Sequence, residues 1–437
     1  MNFVTKMVAL LALFLLLLSA GSPLFAASSD IAELVIEDAT GTEVPTGLDI
    51  GVELELNTET AKNHDAELQR SQSINEIESR ATFNIKQTFN QDNILLAKFR
   101  LTADLSSNVQ SNNDRVSDQL KSLYYQRGQI DDSWRWRVGR QPVSNDMGWM
   151  LDEDLDGIRV SRRRFGKTIN ASVTRQDWLR LSGHEVVDAV YNYYGALSLK
   201  AGKKSTWTPY FLYRYEVPHR NTNNADSAWI GLQGKGKTSG NVKYWFNSAM
   251  YFGTQNRSSG IRASTGYAVD SGATAIFDLP LEPSITFGFA HASGHSPNDD
   301  SQRRSLFRQS GLHSNEHKFN GLDDFRYLGE TVDPELTNIQ IVTIGAGIRS
   351  AKRWSLDAVY HLYKQVELED RLRGSDLDSD PSGTSADLGQ ALDIIAAFNA
   401  SKSFELKAVG GIFEPGAAFS DTTSQSRLFR LELTYQF

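Results

Sequence analysis

Cysteine is missing from all 437 residues. That excludes a disulfide framework, a thiolate metal centre and a cysteine nucleophile, and leaves folding to packing and backbone hydrogen bonds. A net basic charge is also missing: 45 lysines and arginines face 53 aspartates and glutamates, a formal charge of −8. A general nucleic-acid binder is thereby excluded, because neutralising phosphates needs a net basic footprint. No Pro/Ser-rich linker and no internal repeat of about 20 to 50 residues interrupts the chain, which points to one domain. Long apolar runs are nearly absent too. The one that exists, residues 7–18, follows Lys6 and precedes Ser19, Gly21, Pro23 and a small-residue site near Ala26. A run of about 12 apolar residues is too short to span a bilayer, so residues 1–26 read as a secretory signal peptide and 27–437 as the mature domain. Nothing else approaches the roughly 18 apolar residues of a transmembrane helix, so any membrane insertion must use strands.

What the sequence does have is alternation. Phe429, Leu431, Leu433, Tyr435 and Phe437 alternate with Arg430, Glu432, Thr434 and Gln436. A period of two with one apolar face is a strand, and a chain that stops on an aromatic there resembles the closing strand of an outer-membrane barrel. The period recurs at Leu48 to Leu56, Ala97 to Ala103 and Trp354 to Leu362, and in segments near 205–216, 241–252 and 401–413. About eighteen such segments are counted, with aromatics near their ends, as an interfacial girdle requires.

Connection lengths give an independent reading. Short connections are expected near 90–93, 128–132, 165–167, 201–205, 236–240, 279–283, 350–352 and 399–402. Long polar ones are expected near 57–77, 105–118, 141–156, 176–187, 217–225, 253–260, 294–334, 365–386 and 414–426. A soluble sandwich has no reason to sort its loops this way, whereas bacterial outer-membrane barrels have short periplasmic turns and longer external loops. The expected fold is therefore all-β, an antiparallel transmembrane barrel of about 18 strands. It must close, because hydrocarbon offers no partner to an open strand edge. At that strand number the expected interior is an aqueous channel, narrowed by loops such as 141–156 and 294–334 folding inward.

If apolar residues face lipid, the alternate positions face the lumen. They include Arg80, Lys86, Lys98, Arg100, Arg135, Arg137, Arg159, Arg163, Arg214, Arg353, Lys407 and Arg430. An arginine facing mid-bilayer lipid would cost about 2 to 4 kcal/mol, which favours the lumen. The chain holds 28 arginines and 17 lysines, and guanidinium suits multi-donor recognition of oxyanions. Inward acids, among them Glu53, Glu55, Asp104, Glu216, Asp357 and Glu432, leave open a structural alternative in which arginine and carboxylate merely pair along the wall. The excess of cations favours passage of an anion over a series of moderate sites.

The segment from Arg137 through Gly139, Arg140 and Gln141 to Trp149, the acidic run Asp152 to Asp156, and Gly157 to Arg159 resembles the alginate export porin family. Arg326 to Glu330, Asp333 to Asn338 and Gly410 to Ala417 resemble it as well. The resemblance implies an eighteen-stranded barrel in the bacterial outer membrane with an arginine-rich lumen that passes an acidic, alginate-like polysaccharide. Arg140 and Arg159 are the best carry-over positions, with Asp152 and Asp156 as counter-charges. Implied partners are the polymer, outer-membrane lipid and lipopolysaccharide, and periplasmic polysaccharide-synthesis proteins. Many relatives carry an Arg-Glu pair just before the tryptophan, where this chain has Met147-Gly148. A less selective porin for small anionic solutes is the alternative.

Other chemistry is weakly signalled. His291 and His295, and His313 and His317, stand four apart but among glycine, serine and asparagine, where no helix would align them. The runs 152–156 and 376–380 lack a full calcium loop and read as solvated loop charge. No Gly-x-Ser-x-Gly marks a nucleophile. The glycines at 231, 234 and 236 precede no helix and read as relief of crowding on a curved wall rather than a nucleotide loop. Neither a cofactor, a metal nor an enzyme activity is expected.

Overall fold

In a computed structural model, the described residues are 47–437 except 63–72, 91, 109–110, 129–133, 177, 180–188, 218–224, 239, 258–259, 297–302, 351–352, 378 and 421–423. The expected signal peptide lies outside them. Thirteen strands come first: β1 (Gly47–Lys62), β2 (Ser73–Asn90), β3 (Asn93–Asn108), β4 (Ser111–Arg127), β5 (Arg135–Ser144), β6 (Asp152–Arg164), β7 (Lys167–Arg175), β8 (Val190–Ala201), β9 (Ser205–Glu216), β10 (Ala225–Lys237), β11 (Val242–Arg257), β12 (Gly260–Ile276) and β13 (Ser284–Ala292). Three two-residue strands follow: β14 (Arg303–Arg304), β15 (Glu316–His317) and β16 (Phe325–Arg326). The last five are β17 (Ile339–Ser350), β18 (Trp354–Gln365), β19 (Asp387–Ser401), β20 (Phe404–Pro415) and β21 (Ser426–Gln436).

Each long strand pairs antiparallel with its chain neighbour, and β1 pairs with β21, Glu53 opposite Gln436 through Lys62 opposite Arg427. The result is a closed antiparallel barrel of eighteen strands with no open edge in its wall. Alternation sets the two faces. Leu48, Ile50, Val138, Ile158 and Ile285 are each about half exposed on the outside, where lipid covers them. Thr82, Asn84, Ser122, Gln233 and Asp270 are buried on the inside.

All eight short connections fall at one end of the barrel, and the long ones at the other. Two expected loops are corrected. Segments 105–118 and 253–260 are mostly strand, with connections of only two residues at 109–110 and 258–259. The acidic run 152–156 is likewise the start of β6 rather than a loop. A strand that continues beyond the hydrocarbon keeps its hydrogen-bond ladder while water wets both faces, so its apolar alternation stops before its pairing does.

Two connections fold into the lumen. Residues 145–151, between β5 and β6, and residues 303–338, between β13 and β17, meet inside the wall. Trp149, Met150, Phe307, Leu312, Phe325, Tyr327 and Leu336 are at most 2% exposed. They pack on the inward residues of β9 to β12 and β17 to β20, including Leu212, Trp229, Trp245, Tyr363 and Phe413. Trp245 stacks on Phe319 with ring centroids 5.5 Å apart. Gly231 lets Tyr210 lie across β10, since a Cβ there would meet the ring at 2.4 Å.

Candidate anion pathway

Among the described residues, the inserted segments fill the lumen on one side and leave it open on the other. The long charged side chains that point inward from β1 to β6, including Glu53, Glu55, Arg80, Lys98, Arg100, Arg135, Arg159 and Arg163, are only half-buried. Arg137 is more enclosed, at 8% exposure. This half of the wall is therefore the candidate passage.

Its basic side is built by register. Arg135 stands opposite Ser161, and Arg137 opposite Arg159, on β5 and β6. Arg163, two residues beyond Ser161, extends the stripe towards the short-turn end. Successive inward positions lie about 7 Å apart along a strand, so the guanidiniums form a ladder. Neutral groups position three of them. Arg135 Nε donates to Ser161 Oγ (3.1 Å), Arg137 Nε to Gln126 Oε1 (2.7 Å), and Arg159 NH1 to the Pro142 carbonyl (3.4 Å). The Arg137 guanidinium also lies 5.0 Å from the Tyr124 ring centroid, a favourable cation–π arrangement. On β3, Arg100 Nε donates to Thr82 Oγ1 (3.2 Å), and Lys98 lies two positions away on the same face.

The adjoining stretch of wall, on β21, β1 and β2, is acidic and largely self-paired. Arg80 bridges Glu55 and Glu78. Lys407 lies 3.5 Å from Glu432, and Glu53 accepts from Gln436 Nε2 at 3.0 Å. Asp104 stands opposite Glu78 towards the loop end.

Several expected pore residues serve other purposes. Arg430 is clamped between Glu59 on β1 (2.9 Å) and Glu330 of the inserted segment (3.0 Å). Arg214 lies 3.7 Å from Glu216 and donates to the Ser310 carbonyl (2.6 Å), so it tethers the same segment. Asp357 packs against Gly321, where a Cβ would approach its Oδ2 to 2.4 Å. Asp152 accepts from Ser314 Oγ at 2.7 Å.

Three expected placements in the pore are corrected. Arg353 sits in the turn before β18 and is exposed rather than lining the wall. Arg140 and Asp156 share the outer face, because Arg140 stands opposite Leu123, which points outward. There Arg140 NH1 donates to the Leu179 carbonyl (2.6 Å), while Asp156 Oδ2 accepts from the backbone N–H groups of Trp178 (2.6 Å) and Leu179 (2.9 Å). This buried pair, 3.8 Å apart, pins the β7–β8 connection. The histidine pairs do not share a helical face: His291 lies on β13, His313 and His317 in the inserted segment.

The sequence reading missed the anchors of that segment. Asp270 accepts from Trp245 Nε1 (3.0 Å), Asn247 Nδ2 (3.0 Å) and Tyr327 Oη (2.7 Å). Asp393 accepts from the Glu330 N–H (3.0 Å) and Thr331 Oγ1 (2.8 Å). Each is a lone acid at an inward position of a mostly apolar or small-residue strand, which was the available signal. Met147-Gly148 is a joint between the two inserted connections. Gly148, at φ +56°, would place a Cβ 2.0 Å from Ser314 Oγ, and its carbonyl accepts from the Ser314 N–H at 3.0 Å.

A closed eighteen-strand barrel with a lipid-facing apolar belt and a polar lumen defines a channel of the bacterial outer membrane. The chain belongs to the alginate export family, whose profile matches residues 47–431. No curated protein matches the sequence. Among solved structures it is similar to OccK2 (OpdF) of Pseudomonas aeruginosa, at 11% identity and a TM-score of 0.55, covering 89% of this chain and 98% of that one. It is also similar to OccAB1 of Acinetobacter baumannii, at 9% identity and a TM-score of 0.54, covering 89% and 96%. At these identities the likeness shows the fold.

Proposed function

We propose that this channel passes an acidic, alginate-like polysaccharide, which advances by diffusion along the arginines of β5 and β6. The observation that carries this reading is the ladder of Arg163, Arg135 and the Arg137–Arg159 pair, whose positioning bonds for the last three residues go to neutral acceptors. A guanidinium can take a carboxylate in a paired, charge-assisted contact. Rungs at successive inward positions let a polymer exchange one contact for the next without being trapped. The adjoining acidic stretch limits the grip and repels an anion towards the ladder. No chemical step and no cofactor is needed. Outer-membrane lipid and lipopolysaccharide surround the barrel in this reading, and periplasmic polysaccharide-synthesis proteins supply the polymer.

The test is single-channel conductance of the refolded protein in a planar bilayer, with oligouronates of increasing length added. The expected result is anion preference and a length-dependent block. Arg135→Gln with Arg159→Gln should lower both by several-fold. An open, weakly selective channel indifferent to oligouronates would move the reading to a general porin for small anionic solutes.

A further inference from the structure

Away from the ladder, on the side of the lumen that the inserted segment fills, five other guanidiniums converge. A cavity of about 590 Å³ opens at the loop end. Arg214 of β9 enters it from the wall, Arg304 and Arg308 from the inserted segment, and Arg371 and Arg373 from the β18–β19 connection. Three acids share the lining, and each is engaged. Glu216 lies 3.7 Å from Arg214, Glu335 Oε1 accepts from the Gln309 N–H (3.1 Å), and Asp380 Oδ1 accepts from the Leu372 N–H (3.1 Å). Cations therefore exceed acids within a partly enclosed volume.

The frame that carries these charges is fixed. Trp229 Nε1 donates to the Arg308 carbonyl (2.7 Å), and Ser264 Oγ to the Leu306 carbonyl (3.0 Å). The backbone of the inserted segment is thus tied to β10 and β12, and the guanidiniums project from a rigid support. Arg373 Nε is buried and has no hydrogen-bond partner. Burial first, and then the neighbouring Arg308, push its guanidinium below the ordinary arginine value. Like charges held together at a cost are relieved by a bound anion.

We propose that this cavity is a second anion site, at the loop end of the channel, and that it takes a short acidic oligosaccharide. Its volume lies within the roughly 300 to 1,000 Å³ of small-ligand sites. The guanidiniums come from three separate elements, which suits carboxylates spaced along a ligand better than one compact phosphate. The hydroxyls of Ser227 and Tyr251 on the same lining, 3.3 Å apart, suit sugar hydroxyls. The choice of ligand rests on the polysaccharide reading above; the existence of an anion site does not.

The experiment is calorimetric titration of the full-length, detergent-solubilised protein with a uronate trisaccharide, its neutral methyl ester and inorganic phosphate. Saturable binding of the trisaccharide, not reproduced by its neutral methyl ester, should persist in R135Q/R159Q and weaken at least tenfold in R308Q/R373Q. Arg371→Gln, at an exposed position, should weaken it in the same direction, and heat-modifiable gel mobility checks folding throughout. Unchanged affinity in R308Q/R373Q, or equal binding of the ester, overturns the site. Phosphate binding lost in R308Q/R373Q, without trisaccharide binding, overturns the oligosaccharide assignment. Cavity binding that persists while R135Q/R159Q leaves channel selectivity unchanged overturns the ladder reading alone.

Discussion

At the scale of single residues, the same side-chain type does three different jobs in this wall. Arg135 and Arg159 bond neutral acceptors and face the lumen, Arg140 pins a connection on the outer face, and Arg430 locks the inserted segment to the barrel. Parity along a strand decides the face and was legible in the sequence. What occupies the remaining space was not, because Glu330, which meets Arg430, is 100 residues away. The lock gives a specific expectation. Glu330 is 1% exposed, bonds Arg430 through one oxygen and accepts from the Arg326 N–H (3.2 Å) through the other. Removing one partner of a buried ion pair costs up to about 3 to 5 kcal/mol when the other charge is left uncompensated, and less here because Glu59 still holds Arg430 at 2.9 Å. Glu330→Gln should therefore release residues 326–336 while the strand ladder keeps the barrel closed. Limited proteolysis should then cut within that stretch, and channel recordings should become larger and noisier. An uncut segment with wild-type conductance would mean that Arg430 contributes little to docking.

At the scale of elements, the strands and the inserted segment were unequally legible. Alternation marked seven of the eighteen wall strands, expected connections placed the others, and the short turns fell where expected. It failed at 105–118 and 253–260 because β3, β4, β11 and β12 run 16 or 17 residues, well beyond the roughly 9 to 11 needed to cross a bilayer. The inserted segment has almost no regular structure, so no periodicity could announce that it packs like a core. Its titratable groups make its docking pH-dependent, with two opposite signs. Burial lowers His313 from 6.5 to about 4. The docked state thus takes up fewer protons than the released one in that interval, and the His313 contribution is lost as pH falls through it. Burial raises Asp333 from 3.8 to about 7, outweighing Arg326 at 3.0 Å, with Asp376, Glu330 and Arg430 also nearby. Its contribution is full at low pH and is lost as pH rises towards 7. Hydrogen exchange of residues 303–336 at pH 5 and pH 8 separates the two. His313→Gln should raise protection at pH 5 relative to pH 8, and Asp333→Asn should lower that ratio. Shifts of the same sign in both variants would contradict this assignment.

At the scale of the whole molecule, the barrel and its filling are separable in principle, because closure rests on backbone pairing between β1 and β21 and not on the inserted segment. Eighteen strands enclose a lumen too wide for wall side chains to fill; residues 303–338 and 145–151 occupy one side and, in the proposed reading, confine transit to the side of the β5–β6 ladder. Confinement is what gives the ladder its influence. Charges are screened within about 8 to 10 Å at physiological ionic strength, so a solute is governed by the arginines only while it is held close to them. Replacing residues 303–336 with a short glycine-serine linker is geometrically feasible, since β13 and β17 are adjacent and His291 pairs with Gln340. The shortened barrel should still assemble, with a lower heat-modification temperature because Trp229, Trp245 and Tyr363 lose their apolar cover. Its conductance should rise several-fold and its anion preference should fall although every ladder arginine remains. Higher conductance with undiminished selectivity would show that the ladder acts without confinement, and unchanged conductance would show that the inserted segment does not set the width of the passage.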